Sequence, residues 1–192
     1  MNILNFSLKP LVDPKFIFTS LATYEQNGVI KSWEIVKAHD SVAILLYHTD
    51  KDSFVLVKQF RPATYANGHN SGISLELCAG ILDKNLTLPE IIKEEIEEEC
   101  GYNVPLRAIE KISSFYTSVG FSGSKQTLYY AEINDSMKVG NGGGVDDEFI
   151  EIVYIDVSEA KRVIYDDDII KTPGLMFAFC WWYENKKTIK PI

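Results

Sequence analysis

The sequence predicts a mixed α+β domain, and three observations carry that prediction. Apolar runs rich in β-branched and aromatic residues crowd the first half of the chain. One strongly patterned helical segment interrupts them near residue 90, and two more follow only after residue 157. Strands grouped early with helices late do not make the regular alternation of a parallel α/β sheet. With 192 residues, 46% hydrophobic and 24% charged, the chain is long enough for one full core.

Residues 16–25 and 29–37 are β-rich runs joined by Gln26-Asn27-Gly28, and Asn-Gly between two such runs is a strong hairpin signal. Ser41–His48 and Phe54–Phe60 flank Thr49-Asp50-Lys51-Asp52 and predict a second hairpin, more apolar and therefore more central. Ile73–Leu77 reads as a further strand leading into Cys78-Ala79-Gly80. Thr87-Leu88-Pro89-Glu90 has the pattern of a capping box with proline in the first turn, which predicts a helix from Leu88 to Cys100 ended by Gly101. Strands are expected at 107–116, 126–133 and 149–155, and helices at Ser158–Tyr165 and Gly174–Glu184, where Trp181-Trp182 reads as core or interface. Asn141-Gly142-Gly143-Gly144-Val145-Asp146-Asp147 reads as a mobile loop before the last of these strands.

Composition excludes several functions. A net charge of -8 argues against a nucleic-acid backbone as partner, because such binding needs basic stripes. No run approaches the roughly 18 apolar residues of a membrane span, and Met1–Phe6 has no basic region before an apolar core. The expected location is the cytoplasm. Cys78, Cys100 and Cys180 lack the spacing of a zinc site or the density of a disulfide scaffold and read as reduced, mostly buried thiols. His39, His48 and His69 show no ligand spacing.

Five glutamates in six residues, Glu94-Glu95-Ile96-Glu97-Glu98-Glu99, stand at the end of the predicted helix. At about 100° per residue, Glu95, Glu98 and Glu99 share one face beside an apolar stripe of Ile92, Ile96 and Cys100. Glu90, Glu94 and Glu97 fall on the far side, where Lys93 is placed to pair with Glu97 at i,i+4. Hard oxygen ligands converging from one helix face suit Mg²⁺ or Mn²⁺ rather than zinc.

From Gly80 to Tyr102 the chain resembles the signature box of the Nudix hydrolases, G-x5-E-x7-R-E-U-x-E-E-x-G-U, with U an aliphatic or bulky apolar residue. Gly80, Glu95, Ile96, Glu98, Glu99 and Gly101 fall in register, and Tyr102 takes the last apolar place. Leu86 stands where the box has its first glutamate, and Glu94 where it has an arginine that helps orient the catalytic glutamates. Beyond the box, Trp33-Glu34-Ile35-Val36, Val57–Pro62 and Leu75–Gly80 resemble the ADP-ribose and nucleoside-diphosphate-sugar pyrophosphatase branch. Ser118–Thr127 and the Gly142-Gly143-Gly144 loop are most similar to its UDP-sugar (UDP-glucose) pyrophosphatases.

The resemblance implies a Nudix fold over residues 39–192, a mixed sheet between helices, preceded by an N-terminal β segment, 1–38, that helps form a homodimer. It implies hydrolysis of the pyrophosphate of a nucleotide sugar, UDP-glucose or ADP-ribose, to a nucleoside monophosphate and a sugar phosphate. Glu95, Glu99 and the backbone carbonyl of Ala79 would hold Mg²⁺, with Mn²⁺ possible, and Glu98 would be a further or bridging carboxylate of the catalytic set. The base would come from Asp146-Asp147-Glu148, with Glu148 first and Asp146 second. Arg61 would meet the substrate phosphates with Glu76 as its holder; without the resemblance that pair is a surface ion pair worth at most about 1 kcal/mol. Trp33 would stack on the nucleobase, although an aromatic in a strand is more often core. A catalytically weakened nucleotide-sugar binding or sensing module is the alternative that Leu86 and Glu94 suggest.

Overall fold

Two hairpins open the chain, as the turn residues predict. In the computed structural model, which describes residues 1–68, 71–145 and 147–186, β1 (Phe18–Gln26) and β2 (Val29–Lys37) pair with Gln26 opposite Val29, leaving Asn27-Gly28 as a two-residue turn. They form a two-stranded sheet of their own with mostly exposed side chains.

The second hairpin, β3 (Ser41–His48) and β4 (Ser53–Phe60), is paired only at its turn end, from His48↔Ser53 to Leu46↔Val55. Beyond that point the two strands part, and residues 73–81 fill the gap. β5 (Ile73–Glu76) pairs with β4 and β6 (Cys78–Ile81) with β3. The single strand expected over Ile73–Leu77 therefore breaks at Leu77, where the chain changes partners. β8 (Lys125–Ile133) runs parallel to β3 on its other side, with β7 (Glu110–Tyr116) antiparallel beyond it. β9 (Glu151–Asp156) pairs antiparallel with β4, completing a seven-stranded mixed sheet.

Both faces of this sheet are covered, which is why its central strands read as nearly unbroken apolar runs. Val42, Ile44 and Leu46 of β3 face one core with Ile91 and Ile92 of helix α2 (Leu88–Glu95) and with Ile96 just beyond its end. Ala43 and Leu45 face the other, built with α3 (Val157–Tyr165) and α4 (Pro173–Asn185). Trp182 lies in that core and Trp181 packs at its margin. Cys78 and Cys100 are buried free thiols, whereas Cys180 on α4 is exposed. A short helix, α1 (Pro62–Ala66), follows β4 where no element was expected. No helix among the described residues is long and apolar enough to cross a membrane.

The wedge positions the candidate site. It sets Gly80 opposite Val42 near the start of β3 and Glu76 opposite Val57 in the middle of β4, on the strand whose end leads into Arg61.

Candidate active site

The acidic helix begins as its sequence directs. Glu90 Oε2 accepts hydrogen bonds from the Thr87 backbone N–H at 2.8 Å and from Thr87 Oγ1 at 2.6 Å, which hold its carboxyl below the usual range. Ile91, Ile92, Ile96 and Cys100 are buried against the sheet. Within the glutamate run, the pairs Glu94–Glu97, Glu94–Glu98, Glu95–Glu98 and Glu95–Glu99 each cost about 0.2–0.5 kcal/mol. Burial of three isoleucines, at about 1.5–3 kcal/mol each, outweighs that sum. After Glu95 the helix widens into a π turn over Ile96–Cys100, a local feature that often accompanies functional sites.

The helix lays its carboxylates against the wedge strand. Glu95 crosses directly over Gly80: a Cβ at that position would lie 2.2 Å from Glu95 Oε1. Glu99 is only 5% exposed, and its Oε2 accepts the Ala79 backbone N–H at 3.0 Å. Burial is the leading cause that pushes Glu99 up to about 8, with Glu95 and Glu148 adding repulsion. Burial also leads for Glu95, pushed up to about 7, followed by repulsion from Glu98; the nearby Lys84 ammonium offsets part of the rise. Glu97 is exposed and Glu99 buried, as the helical period predicts, whereas Glu94 and Glu98 are both half-buried and line one surface depression with Glu97, so the expected division of Glu94 from Glu98 does not hold.

The glycine loop closes the end of this helix. The carbonyls of Glu98, Glu99 and Cys100, which have no partner within a helix terminus, accept from Gly144 N–H at 3.1 Å, Gly143 N–H at 2.9 Å and Lys138 Nζ at 2.9 Å. Gly142, at φ 65°, comes so near that a Cβ would sit 2.4 Å from the Glu99 carbonyl oxygen. The glycines expected to make the loop mobile instead let its backbone dock on the acidic turn. The same docking carries Glu148 to the site: its Oε2 accepts the Val145 N–H at 3.1 Å, and its charge reaches Glu95, Glu99 and Arg61. Asp146 and His69 lie outside the described residues.

Arg61 makes a fork-to-fork pair with Glu76, Nε to Oε1 at 2.7 Å and Nη2 to Oε2 at 2.6 Å. Glu76 is 7% exposed and also accepts from Ser74 Oγ, so the carboxylate is anchored while the Arg61 side chain remains 46% exposed. The hydrogen bond to Glu76 raises Arg61 further, with Glu99 and Glu148 contributing. Trp33 is not among the residues touching this cluster. It is 57% exposed on β2, and its indole N–H donates to the Gly120 carbonyl at 2.6 Å. The ion pair expected between Lys93 and Glu97 does not form; Lys84 pairs with Glu94 at 2.8 Å instead. Lys84 was missed because its loop has no periodicity to place it.

A second group brings His48, Asp50 and Asp135 ligand atoms within 4.8 Å of one another. It lies six residues along β3 from the Gly80 partner Val42, about 20 Å away at strand rise. Lys51 Nζ stands 2.7 Å from Asp135 Oδ1 and 3.1 Å from His48 Nε2, so this cluster already holds its own cation.

No family model matches the chain. Curated relatives do. The chain is 37% identical over 188 aligned positions to the uridine diphosphate glucose pyrophosphatase NUDT14 of Bos taurus, covering 83% of this chain and 85% of that protein. The Mus musculus protein of the same name is 36% identical, covering 84% and 86%. A GDP-mannose pyrophosphatase of Cronobacter sakazakii is 42% identical over 132 positions, covering 68% of this chain and 67% of the relative.

Proposed function

This chain belongs to the nucleoside-diphosphate-sugar pyrophosphatases of the Nudix family, and from that premise we propose that it hydrolyses UDP-glucose to uridine monophosphate and glucose 1-phosphate. UDP-glucose is placed ahead of GDP-mannose because the relatives named for it align over 188 and 190 positions, against 167 for a GDP-mannose pyrophosphatase of Citrobacter koseri that covers as much of both chains. The observation that carries the reading is that Glu95, packed over Gly80, lies within electrostatic reach of Glu98, Glu99 and Glu148, with an Arg61 anchored by Glu76 facing Glu99 and Glu148.

The donors fit a hard divalent cation. They are carboxylate oxygens, with the Ala79 backbone adjoining them through its N–H to Glu99, and the burial and repulsion that raise Glu95 and Glu99 are what a cation would relieve. Glu95, Glu99 and the Ala79 carbonyl would hold Mg²⁺, with Glu98 as a further carboxylate of the set. When bound, such an ion neutralises the pyrophosphate and lowers the pKa of an attacking water. Glu148 takes the proton from that water as its oxygen attacks phosphorus and the P–O bond to the leaving phosphate breaks. Arg61, with its Nε and Nη2 spent on Glu76, offers Nη1 to the phosphates.

The exposed apolar hairpin, with Leu21, Ile30 and Trp33 at 65%, 77% and 57% exposure, supports a homodimer formed through residues 1–38, in which Trp33 would stack on a nucleobase. Incubation with UDP-glucose, GDP-mannose and ADP-ribose, with and without Mg²⁺, and mass detection of both products tests the function. Absence of hydrolysis of all three by folded protein overturns it. Measurable turnover excludes a binding-only module.

A further inference from the structure

The acidic surface is flanked by two cations, each tethered by a carboxylate that lies off the metal face. Arg61, held by Glu76, faces Glu99 and Glu148. Lys84, on the loop between β6 and α2, is held by Glu94 with Nζ 2.8 Å from Oε2, and it faces Glu95 and Glu98. We propose that Lys84, clamped by Glu94, is a positioning residue for the catalytic carboxylates: its ammonium sets the placement of Glu95 over Gly80 and of Glu98 on the next turn. The inference rests on the hydrolase reading of this surface.

Three observations lead to it. Glu94, Glu95 and Glu98 are neighbours at i, i+1 and i+4, and like charges at that spacing repel. Glu98 is half-buried, and no described side-chain hydrogen bond or ion pair holds its carboxylate, so the nearby Lys84 ammonium is the cation that acts on it. Lys93, the basic residue on the same helix, makes no ion pair with the run, so the compensating charge comes from the loop. Lys84 reaches it from a backbone fixed on both sides, at β6 by pairing with β3 and at Thr87 by the capping box.

The partnership is also directional. Glu94 is 44% exposed in its side chain and Lys84 41%, so the pair contributes little to stability. Its consequence is geometric: Glu94 fixes Nζ 2.8 Å from its own Oε2, from where the ammonium attracts Glu98 and Glu95. An arginine at position 94 would supply the charge from within the helix. Here the loop supplies it, and residue 94 supplies the carboxylate that holds it.

The test is a charge-swap set: Lys84→Met, Lys84→Arg, Lys84→Glu, Glu94→Lys, and Lys84→Glu with Glu94→Lys. Each is assayed with UDP-glucose for kcat and KM, and each is titrated with Mg²⁺ and Mn²⁺ by thermal melting in the absence of substrate. Lys84→Met is expected to lower kcat about tenfold, as loss of an orienting charge does, with KM changed less than about twofold. Its midpoint cation concentration should rise at least about threefold. Lys84→Arg and the double swap should recover kcat to within about threefold of wild type. A Lys84→Met enzyme with kcat within twofold of wild type overturns the proposal. So does a cation midpoint that is unchanged or lowered, since simple removal of a repelling charge would tighten binding; so does a double swap no better than Lys84→Glu alone. If the wild-type protein turns over no nucleotide sugar, the hydrolase reading fails, while the cation midpoints still decide the role of Lys84.

Discussion

Glu95 lies across the backbone of Gly80, so that a methyl group at residue 80 would meet Oε1 at 2.2 Å and Cδ at 2.4 Å. The glycine is required there by a side chain from another element, not by a left-handed backbone. Gly80→Ala is expected to push the carboxylate aside while β6 still pairs with β3. Because misplacing a reacting group by about 1 Å costs on the order of 10²-fold, kcat should fall by that order with circular dichroism unchanged. A variant with wild-type kcat would remove Glu95 from the chemistry.

Glu99 predicts an inverted pH dependence of stability in protein stripped of divalent cations. Its folded value, about 8, lies above its ordinary 4.5, and Glu95 follows at about 7. As pH rises from 4.5 towards 8 the unfolded chain releases protons that the folded chain retains, so unfolding becomes easier. Stability from these groups is complete below pH 4.5 and lost by about pH 8. Melting curves in chelator between pH 5 and 8.5 should show Tm falling with pH, and Glu99→Gln should flatten the slope. An equal slope in the variant would contradict the assignment.

Divalent cations should reverse that loss. An ion at 100 times its Kd stabilises by about 2.7 kcal/mol, which for a domain of this size raises Tm by about 5–10 °C. The shift should be larger at pH 8 than at pH 5.5, because the ion competes with protons for the same oxygens. A melting series with Mg²⁺ and Mn²⁺, followed by chelation, checks both the size and the reversibility. The pairing of His48, Asp50 and Asp135 gives a control: Asp135→Asn should leave the shift intact.

Glu148 is expected to be required for turnover rather than for folding. Glu148→Gln keeps an acceptor for the Val145 N–H but removes the charge that faces Glu95 and Glu99. A lost general base costs about 10²–10⁴-fold, so kcat should fall into that range while KM changes little. A drop confined to KM would move the residue from catalysis to binding.

Arg61 and Glu76 should fail in different ways. Arg61→Lys keeps charge but loses the fork, and KM for the nucleotide sugar is expected to rise about tenfold. Glu76→Gln leaves the partly buried guanidinium without its counter-charge, which costs about 2 kcal/mol of stability as well as affinity. Paired KM and Tm measurements separate the two. A Glu76→Gln protein of unchanged Tm would show that the pair does not anchor Arg61.

Much of the fold was legible because its signals are local. Asn27-Gly28 placed a turn, Thr87 and Glu90 placed a helix start, and the period of Ile92, Ile96 and Cys100 separated Glu97 from Glu95 and Glu99. Other features depend on partners distant in sequence. Nothing near Leu77 reveals that β3 and β4 part and that one strand must bridge them. The three glycines read as mobility because their hydrogen-bond partners, the carbonyls of Glu98 and Glu99, lie more than forty residues earlier.

By itself, then, the order of residues determined which carboxylates share a helix face, because helical periodicity is a property of consecutive positions. It also determined the sharp glycine before them and the hairpin ahead of both. Only the tertiary structure decided that Glu95 rests on Gly80, that Glu148 arrives from a loop docked on the helix end, and that Lys84 rather than Lys93 offsets the acidic run. Those outcomes follow from close packing and from the need to satisfy helix-end carbonyls and concentrated charge, conditions met only when separate elements are brought together.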